Sequence, residues 1–265
     1  MNRRTFLKLG LATAASVIPA GTLFAVQSTQ LEISHHRVSF PGLGQRLRIV
    51  AVSDLHGRSH YLPLNDLICA VNSCAPDIFI LAGDIIDRPK DLGLIGEFAA
   101  VQTRLLKAAV MGNWEHQTGL SIEAFKSAFD SAGVQLLHNS SLKVQSLALF
   151  GLDDLLDGSP DFRKLDAILS EGHPLVLISH CPAGFDQIRP SSQTPVVAIS
   201  GHTHGGQIAP FGNAIITPAG SGDYVHGWYR RGKASMYVTR GIGTSVLPIR
   251  IGARPEVLVV DLESR

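Results

Sequence analysis

Cysteine is scarce in this 265-residue chain: three, at Cys69, Cys74 and Cys181. An odd number excludes a fully paired disulfide framework, and the three read as buried free thiols. Aromatic residues make up only 6% of the chain, and 23 basic residues face 22 acidic ones. A net charge of +1 with no run of one sign supplies no field to draw nucleic acid, so no nucleic-acid partner is expected. Internal repeats and low-complexity tracts are also missing, which excludes solenoids and extended arrays. Before Glu32 there is no acidic residue at all.

That acid-free start has a pattern of its own. "NRRTFLK" (2–8) is followed by the apolar "LGLATAASVIPAGTLFAV", the basic-then-apolar order of an export signal. Arg3-Arg4 with Phe6-Leu7-Lys8 looks like the twin-arginine signal, R-R-x-F-L-K. Its export machinery carries folded proteins across the bacterial inner membrane. The protein is therefore expected outside that membrane, either periplasmic or anchored and facing outward. No clean A-x-A cleavage site is present, and about 20 apolar residues suffice to span a bilayer. Residues 1–26 are thus a signal or a retained anchor that would give membrane association. Residues 27–45 form a lead-in segment with little pattern beyond an edge strand. With no Pro/Ser-rich linker after it, 46–265 reads as one catalytic domain.

"LRIVAVSD" (47–54), "PDIFILAGD" (76–84) and "LKAAVMGN" (106–113) are short apolar runs that end on a polar residue. They are predicted as buried strands with their polar group at the C-terminal end. "LNDLICAVNSC" places Leu64, Leu67, Ile68 and Val71 on one helical face, and 91–104 is predicted as a second helix. Helices follow at 121–133 and 161–170, with strands near 134–138, 142–146 and 147–151. "PLVLISH" (174–180) and "PVVAISGHTH" (195–204) read as strands ending in histidines. "KASMYVTRG" and "PEVLVVDL" close the chain as strands. Helices thin out in the second half, which predicts two sheets packed face to face with helices outside.

The strand ends collect Asp54-Leu55-His56, Gly83-Asp84-Ile85-Ile86-Asp87, Gly112-Asn113, Ser179-His180 and Gly201-His202-Thr203-His204. This mixture of oxygen and imidazole donors suits Mn, Fe or Zn better than Ca or Mg. On a strand, a spacing of two would send Asp54 and His56, and likewise His202 and His204, to one side. In order and spacing these segments resemble the calcineurin-like metallophosphoesterase family, over roughly residues 46–262. "SGHTHGGQ" and the tail "YVTRGIGTSVLPIRIGARPEVLVVDL" are similar to one branch, which includes twin-arginine-exported phosphoesterases and relatives of UDP-2,3-diacylglucosamine hydrolase.

The resemblance implies an α/β fold, a four-layer α/β/β/α sandwich with two mixed β-sheets, around two divalent metal ions (Mn, Fe or Zn). Carried over position by position, Asp54, His56 and His204 would hold the first metal. Asn113, His180 and His202 would hold the second, Asp84 would bridge both, and Asp87 would support the ligands from behind. Asp84, Asn113 and His202 would form the catalytic heart, with a metal-bridging hydroxide as nucleophile. The implied reaction is hydrolysis of a phosphodiester or pyrophosphate bond in a phosphorylated small molecule, lipid or glycan of the envelope. UDP-2,3-diacylglucosamine pyrophosphate hydrolysis is one alternative. A non-catalytic metal-binding envelope protein is the other, and seven intact ligand positions argue against it.

One position departs from the family. In "MGNWEH" (111–116) Trp114 stands where many members of the family have a histidine held to stabilise the transition state or to protonate the leaving oxygen. An indole N–H donates a hydrogen bond but transfers no proton. Loss of a positioned general acid costs about 10²–10⁴-fold, most of it on strongly basic leaving groups. The expected substrate is therefore one whose leaving group is a weak base. His116, two residues on, is a candidate replacement acid, with a loop or helix-cap role as its alternative. Glu115 occupies a position where the family often has Asp or Glu. Trp114 is assigned to stacking on a base or sugar, or to packing over the site. Gly205, Gly206 and Gln207 form the loop that lets His204 reach the metal. Arg240 and Arg250 are assigned to surface ion pairs, with contact to a phosphate as the alternative, and "DYVHGWY" (223–229) to a loop lining a lipid or sugar groove.

Overall fold

Among the described residues, twelve strands order into two six-stranded sheets. The computed structural model describes residues 29–57, 62–189 and 193–264, so the predicted signal over 1–26 and His60 lie outside the described residues. The first sheet contains β1 (Glu32–Ser39), β2 (Leu47–Val52), β3 (Ile78–Ala82), β4 (Leu106–Val110), β5 (Val134–Leu136) and β12 (Glu256–Glu263), in the order β1-β12-β2-β3-β4-β5. The second contains β6 (Ser140–Val144), β7 (Leu147–Gly151), β8 (Leu175–Ile178), β9 (Val196–Ser200), β10 (Gly227–Arg231) and β11 (Ala234–Val238), in the order β10-β11-β9-β8-β7-β6. Both are mixed: β2 to β5 run parallel but β12 opposes β2, and β7, β8, β9 and β11 run parallel between antiparallel β6 and β10.

The strand period of two sorts the apolar runs into layers. In β2 and β3, Val50, Val52, Phe79 and Leu81 face the helices α1 (Leu64–Ser73), α2 (Leu94–Glu97) and α4 (Ile122–Ser131). Ile49, Ala51, Ile78 and Ile80 face the second sheet, where they meet Leu149, Val176, Ile178 and Ile199. The outer side of the second sheet is covered by α5 (Phe162–Ser170), through Leu165 and Ile168. Helix, sheet, sheet, helix is the expected four-layer sandwich. Each large aliphatic side chain buried in these layers contributes about 1.5–3 kcal/mol of apolar transfer energy. Helix starts are conventional: Pro63 precedes α1, and the Ser121 and Asp161 side chains accept backbone N–H groups at the starts of α4 and α5.

Two predictions need correction here. Residues 91–104 form no single helix: a 3-10 turn at Pro89–Asp91, the four-residue α2 and a second 3-10 turn at Phe98–Ala100 replace it. Gly93 and Gly96 lower helix propensity, and burial of Ile95 and Phe98 is achieved by short turns instead. The "DYVHGWY" segment is not all loop, since Gly227–Arg231 is edge strand β10, paired along its length to β11. The edge strand expected in the lead-in is present as β1, parallel to β12 over all eight residues.

Candidate metal centre

The polar ends of β2, β3, β4, β8 and β9 meet at one edge of the sandwich, just past the C-terminal ends of these strands. There the chain curls. Asp54, His56, Asp84, His202 and His204 all have φ between 52° and 72°, a left-handed conformation uncommon for non-glycine residues and concentrated at functional sites. The expectation that D-x-H and H-x-H continue their strands is therefore corrected: β2 stops at Val52 and β9 at Ser200. The side chains converge through loop curvature, pinned by backbone bonds from Asp54 N to Gly83 O and His56 N to Asp84 O, at 3.0 and 2.9 Å. The loop crowding also explains the motif glycines. A Cβ on Gly83 would lie 2.6 Å from His180 Nδ1, and one on Gly112 would lie 2.3 Å from Asp84 Oδ1.

Two buried groups result, Asp54–His56–His204 and Asp84–His180–His202, each with its donor atoms within 4.8 Å of one another. Asp84 lies between them, its Oδ2 3.0 Å from His180 Nε2 and 4.0 Å from His56 Nε2. Asn113 Oδ1 is 3.1 Å from His202 Nδ1. All seven residues expected as ligands are thus brought together. The inward-facing atoms are donors of electron pairs turned on one another: His56 Nε2 and His204 Nε2 are 2.9 Å apart, His180 Nε2 and His202 Nδ1 3.3 Å. The outward nitrogens have acceptors. His56 Nδ1 donates to Asp87 Oδ1 at 2.7 Å, His180 Nδ1 to Ala82 O at 2.8 Å, and His202 Nε2 to Ala219 O at 2.6 Å. This is how ligating histidines are oriented, so the donor set fits a pair of divalent cations. Asp87 stands behind His56, as expected.

The buried groups also shift one another's protonation. Burial opposes ionisation of Asp84, but His180 and then His56, with the Trp114 N–H at 3.0 Å, hold its pKa at about 2. Burial likewise opposes a charged His180, yet the Asp84 carboxylate overrides it and raises the pKa to about 10. His204 is driven the other way, well below the usual imidazole range, by burial and then by His56 and Arg250. It is held neutral, the form that ligates metal.

Two side chains matter more than the sequence suggested. Glu115 is fully buried, and its two oxygens accept N–H groups from Asp84, Ile85, Ile86 and Gly112 at 2.6–3.0 Å. It ties the loop after β3 to the start of α3 (Asn113–Gln117). Burial, then Asp84, pushes its pKa up to about 7 against these four donors. Arg250 is no surface residue: it is 0% exposed and donates to the carbonyls of Gly243, Arg240, Ala253 and His204, with Nη2 3.2 Å from His204 Nδ1. Its one signal in the sequence is a lone arginine inside the apolar run "LPIRIGA". Arg240 is also mostly buried, pairing with Glu32 and Glu256. His116 does not line the cleft that opens on the two groups; its Nε2 contacts Asp153 Oδ1 at 2.8 Å. Of the cysteines, Cys74 and Cys181 are buried as expected, whereas Cys69 is exposed; all three are free.

A cleft of about 510 Å³ opens on the two groups, lined by Asp84, Asn113, His202 and His204 on one side and by Ile208, Ile215, Ile216, Pro218, Val246 and Leu247 on the other. Trp114 forms part of its wall, edge-on to the His56 ring at a centroid distance of 5.7 Å. The only titratable side chains lining it, among the described residues, belong to the two groups themselves. The "DYVHGWY" residues do not line this cleft: Tyr224 bonds to Asp186 and packs on Tyr229 instead.

Residues 47–206 match the model of the calcineurin-like phosphoesterase family. The chain is 33% identical to the uncharacterized metallophosphoesterase YkuE of Bacillus subtilis (strain 168), over 100% of this chain and 98% of that protein. It is 27% identical to the phosphodiesterase YaeI of Escherichia coli (strain K12), over 99% of each. It is also 30% identical to a transmembrane protein with metallophosphoesterase domain from Danio rerio, over 82% of this chain and 53% of that one.

Proposed function

This chain belongs to the calcineurin-like phosphoesterase family and is a metallophosphoesterase, and from that premise we propose that it hydrolyses a phosphodiester or pyrophosphate bond in a lipid-linked or other phosphorylated envelope substrate. The observation that carries this reading is the pairing of Asp54–His56–His204 with Asp84–His180–His202 at the base of one cleft. Asp54, His56 and His204 would hold one divalent ion, and Asn113, His180 and His202 the other, with Asp84 shared. Such ions supply Lewis acidity toward a phosphoryl oxygen and acidify water at neutral pH; Mn, Fe and Zn all suit the donors.

The residues around them set the rest. Asp87 and the Ala82 and Ala219 carbonyls fix the imidazole tautomers. Burial, then His56 and Arg250, keep His204 neutral. Trp114 narrows the cleft without offering a proton, which favours substrates with weakly basic leaving groups. The apolar wall opposite the ligands supports a substrate with an apolar portion, and with it the branch that includes UDP-2,3-diacylglucosamine hydrolase relatives. Arg3-Arg4 and the apolar run after them support export by the twin-arginine machinery and action outside the inner membrane.

The test is hydrolysis of bis-p-nitrophenyl phosphate by the full chain, stripped of metal and reloaded with Mn. Phenolate departs without acid assistance, so Trp114 does not prejudge the outcome. Metal-dependent turnover that disappears in Asp84→Ala is expected. Two bound metals without turnover would overturn the reading.

A further inference from the structure

Large apolar side chains seldom stand in water as a group unless something covers them. Among the described residues the five most exposed are Phe211, Val246, Ile216, Ile215 and Leu247, at 103%, 86%, 77%, 64% and 50%. They come from two loops at the cleft: the last four line it, and Phe211 caps the adjoining turn Pro210–Gly212. No Asp, Glu, Lys or Arg falls within 205–222 or within 241–249, so the rim is free of charge.

This rim is built, not frayed. The Gln207 side chain donates to the Ser245 and Leu247 carbonyls at 3.0 and 2.9 Å and accepts the Ser245 N–H at 2.8 Å. Ala209 and Ile251 add backbone bonds of 2.7 and 2.8 Å between the same loops. At both tips the most exposed residue has a left-handed backbone, Phe211 at φ 56° and Val246 at φ 55°. That conformation is a genuine outlier for a β-branched side chain, yet it is where the loops carry Phe and Val.

The topology adds a second, independent observation. β1 begins at Glu32, opposite Glu256, and β12 opposes β2, so the chain joins the first sheet at the end where β2 delivers Asp54. Arg240 ties Glu32 to that end, packing its side chain against Gly205 beside His204. The sequence ahead of this junction includes residues 9–26, eighteen in a row without charge. The apolar leader and the apolar rim therefore meet the domain at one end.

We propose that this end docks on a lipid bilayer, with the 208–216 and 245–247 loops sinking their side chains into the boundary between headgroups and acyl chains. The cleft then opens toward the membrane and takes the phosphate of a lipid. A protein-binding patch has a polar rim around an apolar centre; the two loops here carry no charged residue across 205–222 and 241–249. The lipid phosphate rests on the phosphoesterase reading, but the docking does not, and it is measured without turnover.

The experiment uses the full-length, metal-loaded chain with Phe211→Trp, Leu247→Trp or, as a control at the opposite end of the strands, His173→Trp. Each is mixed with vesicles of phosphatidylethanolamine and phosphatidylglycerol carrying brominated acyl chains. Relative to the parent, the added emission of the Phe211→Trp and Leu247→Trp chains should shift to shorter wavelength and lose most of its intensity to bromine, while that of His173→Trp should not. If all three stay unquenched on chains that sediment with the vesicles, the proposal is overturned. A short-wavelength shift without vesicles also overturns it: one that ignores protein concentration means the leader covers the rim, and one that follows concentration means a second copy does. Failed docking with intact hydrolysis of the soluble ester, or the reverse, separates the two readings.

Discussion

Trp114 donates its backbone N–H to Asp84 and sets its ring against His56, so it shapes the site without taking part in proton transfer. Across phosphate esters of graded leaving-group pKa, kcat/KM should therefore fall steeply as the leaving group becomes more basic; a flat dependence would mean that another group protonates it. His116 pairs with Asp153. Its pKa is raised first by its bond to Asp153, whose own pKa is depressed against the cost of burial by His116 and His138. A raised histidine contributes fully below its unfolded pKa near 6.5 and loses that contribution as pH rises through the folded value. A depressed aspartate contributes above about 3.9. The pair therefore helps most between those limits, and His116→Ala should lower stability by about 1 kcal/mol at pH 5.5 and by less at pH 8.5, as read from thermal melts. The residues of the two buried groups were legible because each carries a donor type at a spacing that few structural roles require. Arg250 and Glu115 were not, because one charged residue in an apolar run or beside a ligand does not announce what will surround it.

At the scale of elements, the apolar runs gave the buried strands, whereas the site depends on what happens one or two residues after each run ends. The positive φ of Asp54, His56, Asp84, His202 and His204 has no composition signal, since none is glycine, and periodicity therefore extended the strands too far. The glycines of G-D and G-N were legible as motif positions but not as contacts. Gly112→Ala would press a methyl group into Asp84, and we expect about 1–3 kcal/mol of destabilisation together with loss of bound metal. Gly96→Ala, in α2 with nothing within 4 Å of the added carbon, should be neutral or slightly stabilising. Melting curves and metal content of the two variants check the contrast. Residues 91–104 and β10 were misread for a related reason: tertiary burial of Ile95 and Phe98, and pairing with β11, outweigh weak local preference.

For the whole molecule, the metal centre is a charge-balance problem solved twice. Without metal, the His180 proton offsets Asp84; with metal, that proton must leave. Loading the stripped chain at pH 7.5 should release protons, because Asp84 raises the pKa of His180 and keeps it charged until a cation takes over that role, and affinity should climb with pH. Calorimetry in buffers of different ionisation enthalpy reads this directly; a buffer-independent heat would contradict it.

The last strand carries a consequence for how the protein is made. β12 lies between β1 and β2, joining the start of the domain to the strand that delivers Asp54. Its Glu256 accepts bonds from Tyr237, Thr239 and Arg240. β1 and β2 are synthesised first, and the place between them is filled only when β12 follows. The first sheet therefore closes only once residues 256–263 have been made, after every segment that contributes a side chain to the two buried groups.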